Sequence, residues 1–154
     1  MNRNIKIRRG TTRDVETLAF FNTSLAWETE GKRLDPETIT RGLQNLLRRP
    51  ELGFYLIAEV EGEVAGALMI TTEWSDWRNG LFWWIQSVYV RAEYRRQGVF
   101  KLLFEEVKQQ ARKDEEVCGL RLYVEHTNHT AQRAYSALGM EETGYRLFEI
   151  EFNR

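Results

Sequence analysis

The sequence has one cysteine, two prolines and two histidines among its 154 residues. A single thiol, Cys118, excludes an internal disulfide framework and suits a reducing compartment, so a cytoplasmic location is expected and Cys118 reads as a small core residue. His126 and His129 lack cysteine or acidic partners at metal-ligand spacing, so no metal site is expected. A Gly-x-Ser-x-Gly elbow is also missing, which leaves a Ser-His-Asp hydrolase without support.

Long hydrophobic runs are absent. The longest, Val64 to Ile70, is interrupted by glycine and falls far short of the roughly 20 residues that cross a bilayer. The opening Met1-Asn-Arg-Asn-Ile-Lys-Ile-Arg-Arg has no apolar stretch of the kind a secretory signal needs, so neither export nor a membrane partner is expected. Charge of one sign is scarce too: 22 Lys and Arg against 23 Asp and Glu leave a net charge of -1. The whole-protein field therefore attracts neither nucleic acid nor anionic lipid, and any phosphate site must be local.

What is present fits one globular domain over residues 1–154, since hydrophobic residues make up 42% and charged residues 29%. Ile5 and Ile7 alternate with polar neighbours as in a strand. Gly10 to Asp14 then supplies turn and capping chemistry before a helix carrying Val15, Leu18, Ala19 and Leu25. Asp35-Pro36 starts a second helix with Ile39, Leu43, Leu46 and Leu47 at helical spacing, ending near Pro50. Phe54 to Val60 and Val64 to Thr72 form a hairpin, followed by a loop from Trp74 to Gly80.

Leu81 to Val90 is apolar on both alternating faces and reads as a central strand, with Trp83 and Trp84 in the core on opposite sides. Gly98 opens a helix with Phe100, Leu103, Phe104, Val107 and Ala111 on one stripe. A strand at Gly119–Val124, a helix from Thr130 to Leu138 and a final strand or pair of strands within Tyr145 to Phe152 complete the chain. The pattern predicts a mixed α/β sandwich.

Between the central strand and the Gly98 helix, Arg91-Ala-Glu-Tyr-Arg95-Arg-Gln-Gly98 is a short basic loop ending in glycine. A helix N-terminus offers unpaired amides and a positive dipole end, glycine admits close approach, and Arg91, Arg95, Arg96 and Lys101 add local charge. An anion site is one reading and a solvated basic loop the other.

Here the sequence resembles the GNAT superfamily of acetyl-CoA-dependent N-acyltransferases, whose signature is Gln/Arg-x-x-Gly-x-Gly/Ala after a strand ending in Tyr-Val. The matching residues are Arg95-Arg-Gln-Gly98-Val-Phe100 after Ile85-Gln-Ser-Val88-Tyr-Val90, with Phe100 where a small residue is usual. Downstream, Asn128-His-Thr-Ala131-Gln-Arg-Ala-Tyr135-Ser-Ala-Leu-Gly139-Met140 is similar to the family's second cofactor motif. Ile5 to Asp14 is similar to its N-terminal strand and helix start. The likeness spans nearly the whole chain.

The resemblance implies a single acyl-CoA N-acyltransferase domain of α/β (α+β) class. Its sheet would be mostly antiparallel with six to seven strands and about four flanking helices, in the order β-α-α-β-β-β-α-β-α-β(-β). It implies acetyl-CoA as co-substrate and no metal. Val88, Tyr89 and Val90 would hold the pantetheine arm and the thioester, Arg95, Arg96, Gln97, Gly98, Val99 and Phe100 the pyrophosphate, and Asn128 a further contact. Tyr135 would protonate the departing thiolate.

Many relatives carry a carboxylate where this chain has Gln86, and an amide cannot take a proton, so the base must be sought elsewhere. Glu28 comes first and Glu73 second; Glu28, Glu30, Trp74 and Trp77 are expected to bind the acceptor, a small-molecule or protein amine. Each of these residues has an ordinary surface or packing reading beside the functional one. A homodimer is open to such a chain. Two rivals remain at this stage: a CoA-binding module without catalysis, and a nucleic-acid binder that the near-zero net charge disfavours.

Overall fold

Thr11 and Asp14 close a capping box: the Thr11 side chain accepts from the Arg13 amide, and Asp14 Oδ2 accepts from the Thr11 amide at 2.8 Å. Asp14 also takes both ends of the Arg8 guanidinium at 2.9 Å, which ties strand β1 (Ile5–Arg9) to helix α1 (Val15–Glu30). Burial opposes the charge on Asp14, but Arg8 and Thr11 outweigh it and hold the carboxyl below its ordinary pKa. Asp35 caps α2 (Pro36–Arg48) by accepting from the Thr38 amide at 2.9 Å, with proline at the first helical position as expected.

The computed structural model describes residues 4–153, and the chain divides into two compact units, Met1–Tyr123 and Val124–Arg154. The first unit holds the whole sheet, with β2 (Gly53–Val60), β3 (Glu63–Ser75), β4 (Gly80–Val90) and β5 (Val117–Arg121) following β1 in spatial order. All neighbours are antiparallel except β4 and β5, which run parallel across helix α3 (Val99–Lys113). The second unit contains α4 (His129–Ala137), capped by Asn128.

Alternation sends the side chains to two cores. Tyr55, Ile57, Ala67 and Tyr89 meet Leu18, Phe21, Leu43 and Leu46 of α1 and α2 on one face. On the other face α3 packs with buried Val99, Leu103, Phe104, Val107 and Ala111 beside strands that bury Leu56, Leu68, Ile70 and Ile85. Phe100, expected on that buried stripe, is half-buried with its ring 6.2 Å from Phe104, and Val99 takes the buried place. Trp83 is core but Trp84 is only half-buried, and Cys118 is exposed rather than core.

Four further expectations are corrected. Among the described residues the sheet has five strands, not six to seven. Tyr145 to Phe152 forms no strand among the described residues, and Phe148 is 90% exposed. The apolar alternation of that segment changes phase between Leu147 and Phe148, and a strand requires a hydrogen-bonded neighbour as well as suitable residues. Trp74 is not in a loop but in β3, paired with Leu81, so that the connection to β4 is only the tip around Asp76 to Asn79. β5 starts and stops earlier than expected, because its parallel register is set against Leu81 to Trp84.

Candidate functional site

Strand β4 is paired on both sides only at its start. Its parallel ladder with β5 covers Leu81 to Trp84, whereas its antiparallel ladder with β3 continues to Val90. From Ile85 onward, β4 therefore has no ladder partner on the β5 side among the described residues. The Arg91 amide bonds the Ala65 carbonyl at 2.8 Å on the β3 side, so alternation turns the Val90 and Val88 amides to the open side. The Val90 carbonyl, on that same side, accepts from Arg95 Nε at 2.8 Å.

The open edge carries a bulge. Ala67 pairs with Tyr89 but Met69 pairs with Gln86, so Ser87 and Val88 together oppose Leu68. Ser87 has a φ of 52°, a left-handed conformation unusual for a residue other than glycine. Gly66 allows the close packing there, because a Cβ would stand 2.8 Å from the Tyr89 carbonyl oxygen.

Past Val90 the chain makes a short 3-10 turn (Ala92–Tyr94) and enters α3 through two more left-handed residues, Arg96 at φ 63° and Gly98 at φ 84°. Alternating conformations of this sort aim successive amides into one concavity, and the amides of Gln97, Gly98 and Val99 bond no carbonyl among the described residues. Nothing lies within 4 Å of where a Gly98 Cβ would stand, so the approach is open. A bend of this kind, with backbone amides left over at a helix start, can accept an anion.

One arginine of the loop, Arg95, is engaged with α1 and the end of β4. Arg95 sends its terminal nitrogen to both carboxylate oxygens of Glu28, at 3.2 and 3.3 Å, and its guanidinium lies 5.4 Å from the Tyr89 ring centre. Burial pushes the Tyr89 hydroxyl above its ordinary pKa; Ser24 works against this and Glu28 adds to it. Glu28, Tyr89 and Arg95 thus form one cluster where α1 meets the end of β4. Glu30 is not part of it and pairs with Lys32 at 3.4 Å.

A second cluster occupies the same sheet face nearer the β3–β4 turn. Glu73 Oε1 accepts from Trp84 Nε1 at 3.2 Å and from Arg121 at 2.8 Å, while Arg121 stacks 3.6 Å from the centre of the Phe82 ring. Gln86 lies between the clusters and donates to Thr71 Oγ1 at 2.5 Å. Trp74 lies on the opposite face of β3 from Glu73, and Trp77 is 86% exposed at the turn, so the structure does not gather these two tryptophans with either glutamate.

In the second unit the Asn128 side chain accepts from the Ala131 amide at 3.2 Å, the ordinary work of a helix cap. Tyr135 sits in α4, and burial raises its hydroxyl above the usual tyrosine pKa, which keeps it in the proton-donating form at neutral pH. Among the described residues no group of three or more His, Cys, Asp and Glu is placed to hold a metal, and no helix is long and apolar enough to cross a membrane.

Sequence reasoning missed Ser24, Ser87 and Arg121. One signal was available for Ser87: it is a small polar residue inside a run of tryptophan, isoleucine, valine and tyrosine, a composition that marks a local irregularity. The others come from separate elements and carry no shared spacing.

A model of the Acetyltransferase (GNAT) family matches residues 15–140. The structure of a possible acetyltransferase from Clostridium difficile 630 superposes with a TM-score of 0.91 at 47% identity, covering 97% of this chain and 99% of that one. An uncharacterized N-acetyltransferase in the pepI 3′ region of Lactobacillus delbrueckii subsp. lactis is 25% identical across 97% of this chain and 92% of its own length. A predicted acetyltransferase from Clostridium acetobutylicum, solved with acetyl-CoA, shares the fold at 17% identity with a TM-score of 0.76, covering 97% and 96% of the two chains.

Proposed function

Since the chain belongs to the Acetyltransferase (GNAT) family, we propose that it transfers an acetyl group from acetyl-CoA to a primary amine by direct attack within a ternary complex. The observation that carries this reading is the continuity of the unpaired edge of β4 with the amide-lined bend at Arg96 to Val99. The edge accepts an extended amide-bearing arm as a further strand would be accepted, and the bend takes a diphosphate; CoA joins those two groups in one molecule.

The Val88 amide polarises the thioester carbonyl and takes up the charge that develops on its oxygen as the amine nitrogen bonds to the carbonyl carbon. The carbon–sulfur bond then breaks with its electron pair on sulfur. Tyr135, a phenol that is protonated at neutral pH, donates its proton to that thiolate and regains through solvent the second proton, the one the nitrogen sheds as it becomes an amide. The amine reaches the site mostly as ammonium, with about one part in a thousand free at pH 7 for a lysine-like group. Glu28 receives the surplus proton through water, and Glu73 is the second candidate. Both carboxylates are paired with arginine, which holds them in place and leaves further lone pairs for water. Trp74 and Trp77, with Glu30, remain candidates for binding an acceptor that extends beyond the face.

A CoA-binding module without turnover is the second reading, favoured by Gln86 and by the arginine partner on each glutamate. Incubation with acetyl-CoA and a panel of primary amines, with release of free thiol followed, decides between them. Amine-dependent thiol release is expected; tight binding of acetyl-CoA with no release above the hydrolysis background would establish the module instead.

A further inference from the structure

Two aromatic side chains stand where β4 and β5 part. Trp84 is the last β4 residue in the parallel ladder, paired with Arg121, and from Ile85 onward that edge of β4 has no ladder partner among the described residues. Tyr123 follows Arg121 by two residues and comes to the same side of the sheet: its ring centre lies 5.9 Å from that of Trp84, with the planes inclined at 56°. Tyr123 is 61% exposed and Trp84 half-buried, so the two rings form a corner open to solvent.

A single exposed aromatic residue is ordinary on a protein surface, but this indole is held in place. Trp84 Nε1 donates to Glu73 Oε1 at 3.2 Å, and the same oxygen accepts from Arg121 at 2.8 Å. The Arg121 guanidinium in turn lies 3.6 Å from the centre of the buried Phe82 ring. Glu73, Arg121 and Phe82, from three strands, thus fix the orientation of one half-buried ring. A ring fixed beforehand loses little freedom when a second ring stacks on it.

The same contacts cancel the charge of this wall. Glu73 pairs with Arg121, Glu28 with Arg95 at 3.2 Å and Glu30 with Lys32 at 3.4 Å, so each of the three glutamates considered for the acceptor has its cation. Between them the neutral Gln86 and Thr71 bond each other. A polycation gains affinity from unmatched carboxylates, and none of these three is unmatched. What the wall offers beyond a place for one ammonium group is flat and apolar. Val88 lies four residues past Trp84, at most about 13 Å along a strand, and a ring carried on a chain of a few carbons spans that reach.

We infer that Trp84 and Tyr123 are specificity-determining residues and that the acceptor is a primary amine on a short alkyl chain ending in an aromatic ring, a substrate class that rests on the acetyl-transfer reading of the β4 edge. The ring stacks in the Trp84–Tyr123 corner, and the chain lays the nitrogen beside the thioester. Arg121 acts through other residues: it braces the indole by way of Glu73 and keeps the wall from attracting polycations.

Thiol release by the full chain at saturating acetyl-CoA tests this with three amines: butylamine, 4-phenylbutylamine, which differs from it only by the ring, and spermidine, a polycation. The kcat/KM for 4-phenylbutylamine should exceed that for either of the others by about tenfold, with the difference in KM. Tyr123→Leu, a change at an exposed site, should cut the ring preference to about threefold, and Tyr123→Phe should keep it. Arg121→Gln leaves Glu73 without its cation; it should lower the ring preference and raise kcat/KM for spermidine about threefold. In spectra of the ¹⁵N-labelled, CoA-saturated protein, the Trp84 indole N–H should shift with 4-phenylbutylamine and stay unmoved with spermidine.

Equal kcat/KM for butylamine and 4-phenylbutylamine, a preference for spermidine, or a ring preference undiminished in Tyr123→Leu would overturn the inference and leave the acetyl-transfer reading standing. Thiol release that no amine raises above the hydrolysis background would overturn both, whatever the indole signal does.

Discussion

The two sides of β4 are made of different material. Toward β5 and α3 the working groups are backbone amides, from Val88 and Val90 along the open edge to Gln97, Gly98 and Val99 in the bend. Toward α1 and β3 they are side chains delivered by four elements: Glu28 from α1, Glu73 from β3, Trp84 and Gln86 from β4, and Arg121 from β5. In the proposed reaction a backbone surface would recognise what every acyl-CoA donor shares, an arm of amides and a diphosphate. A side-chain surface can change residue by residue, which suits it to selecting the acceptor.

This contrast can be broken by mutations that act on one side only. The largest effect is expected from Tyr135→Phe, which removes the proton given to the leaving thiolate: kcat should fall by about 10²-fold with little change in CoA affinity. Because burial raises the pKa of this hydroxyl, the wild-type rate should show no loss from its ionisation until pH exceeds the ordinary tyrosine value of 10.0. Steady-state kinetics across pH and calorimetry with CoA check both statements. Equal losses in kcat and affinity would place Tyr135 in binding rather than in the proton transfer.

Gly98→Val tests the backbone side. No atom lies in the way of the new side chain, so any effect arises from forcing a β-branched residue to φ 84°, a strain of about 2 kcal/mol that the loop relieves by moving. The affinity for CoA should weaken by about 30-fold. Arg95→Gln should weaken it far less, because that guanidinium is engaged with Glu28 and the Val90 carbonyl. Comparable losses from the two would show that side-chain charge, not backbone shape, holds the diphosphate.

Asp14→Asn touches neither side and sharpens the comparison as a control, with a loss of about 1.5 kcal/mol of folding stability and no change in CoA affinity. Asp14 is held below the usual carboxylate pKa of 3.8, so its contribution is complete above that value and disappears as pH falls through the lower folded-state value. Denaturant melts of the two proteins should therefore converge under acid conditions. The smallest effect is assigned to Glu73→Gln, an exposed partner of Arg121, where the KM for a cationic acceptor should rise about threefold with kcat nearly constant.

The same contrast explains what could be read beforehand. The bend at Arg95-Arg-Gln-Gly98 was legible because a turn into a helix depends on residues adjacent in the chain, and the left-handed Gly98 suits a residue without a Cβ penalty. The helix caps, the helices and the hairpin were legible for the same local reason. The second left-handed residue, Arg96, was not, because arginine gives no conformational warning. Nor was the hydrogen bond from Asn22 to the Tyr55 hydroxyl, which joins α1 to β2 only through tertiary packing. Glu28 was chosen from its place at a helix end, yet its pairing with Arg95, 67 residues away, had no counterpart in any spacing. The failed final strand has the converse origin: apolar residues were present, but their alternation changes phase at Leu147 and Phe148, and the sheet makes no ladder with them among the described residues.

Titration of the ¹⁵N-labelled full chain with CoA, followed amide by amide, bears most directly on the central claim. The account predicts saturable shifts concentrated at Gln97, Gly98 and Val99 and along the open edge at Val88 and Val90. Saturable binding that leaves those five amides unmoved, or the absence of any shift at millimolar CoA, would contradict it.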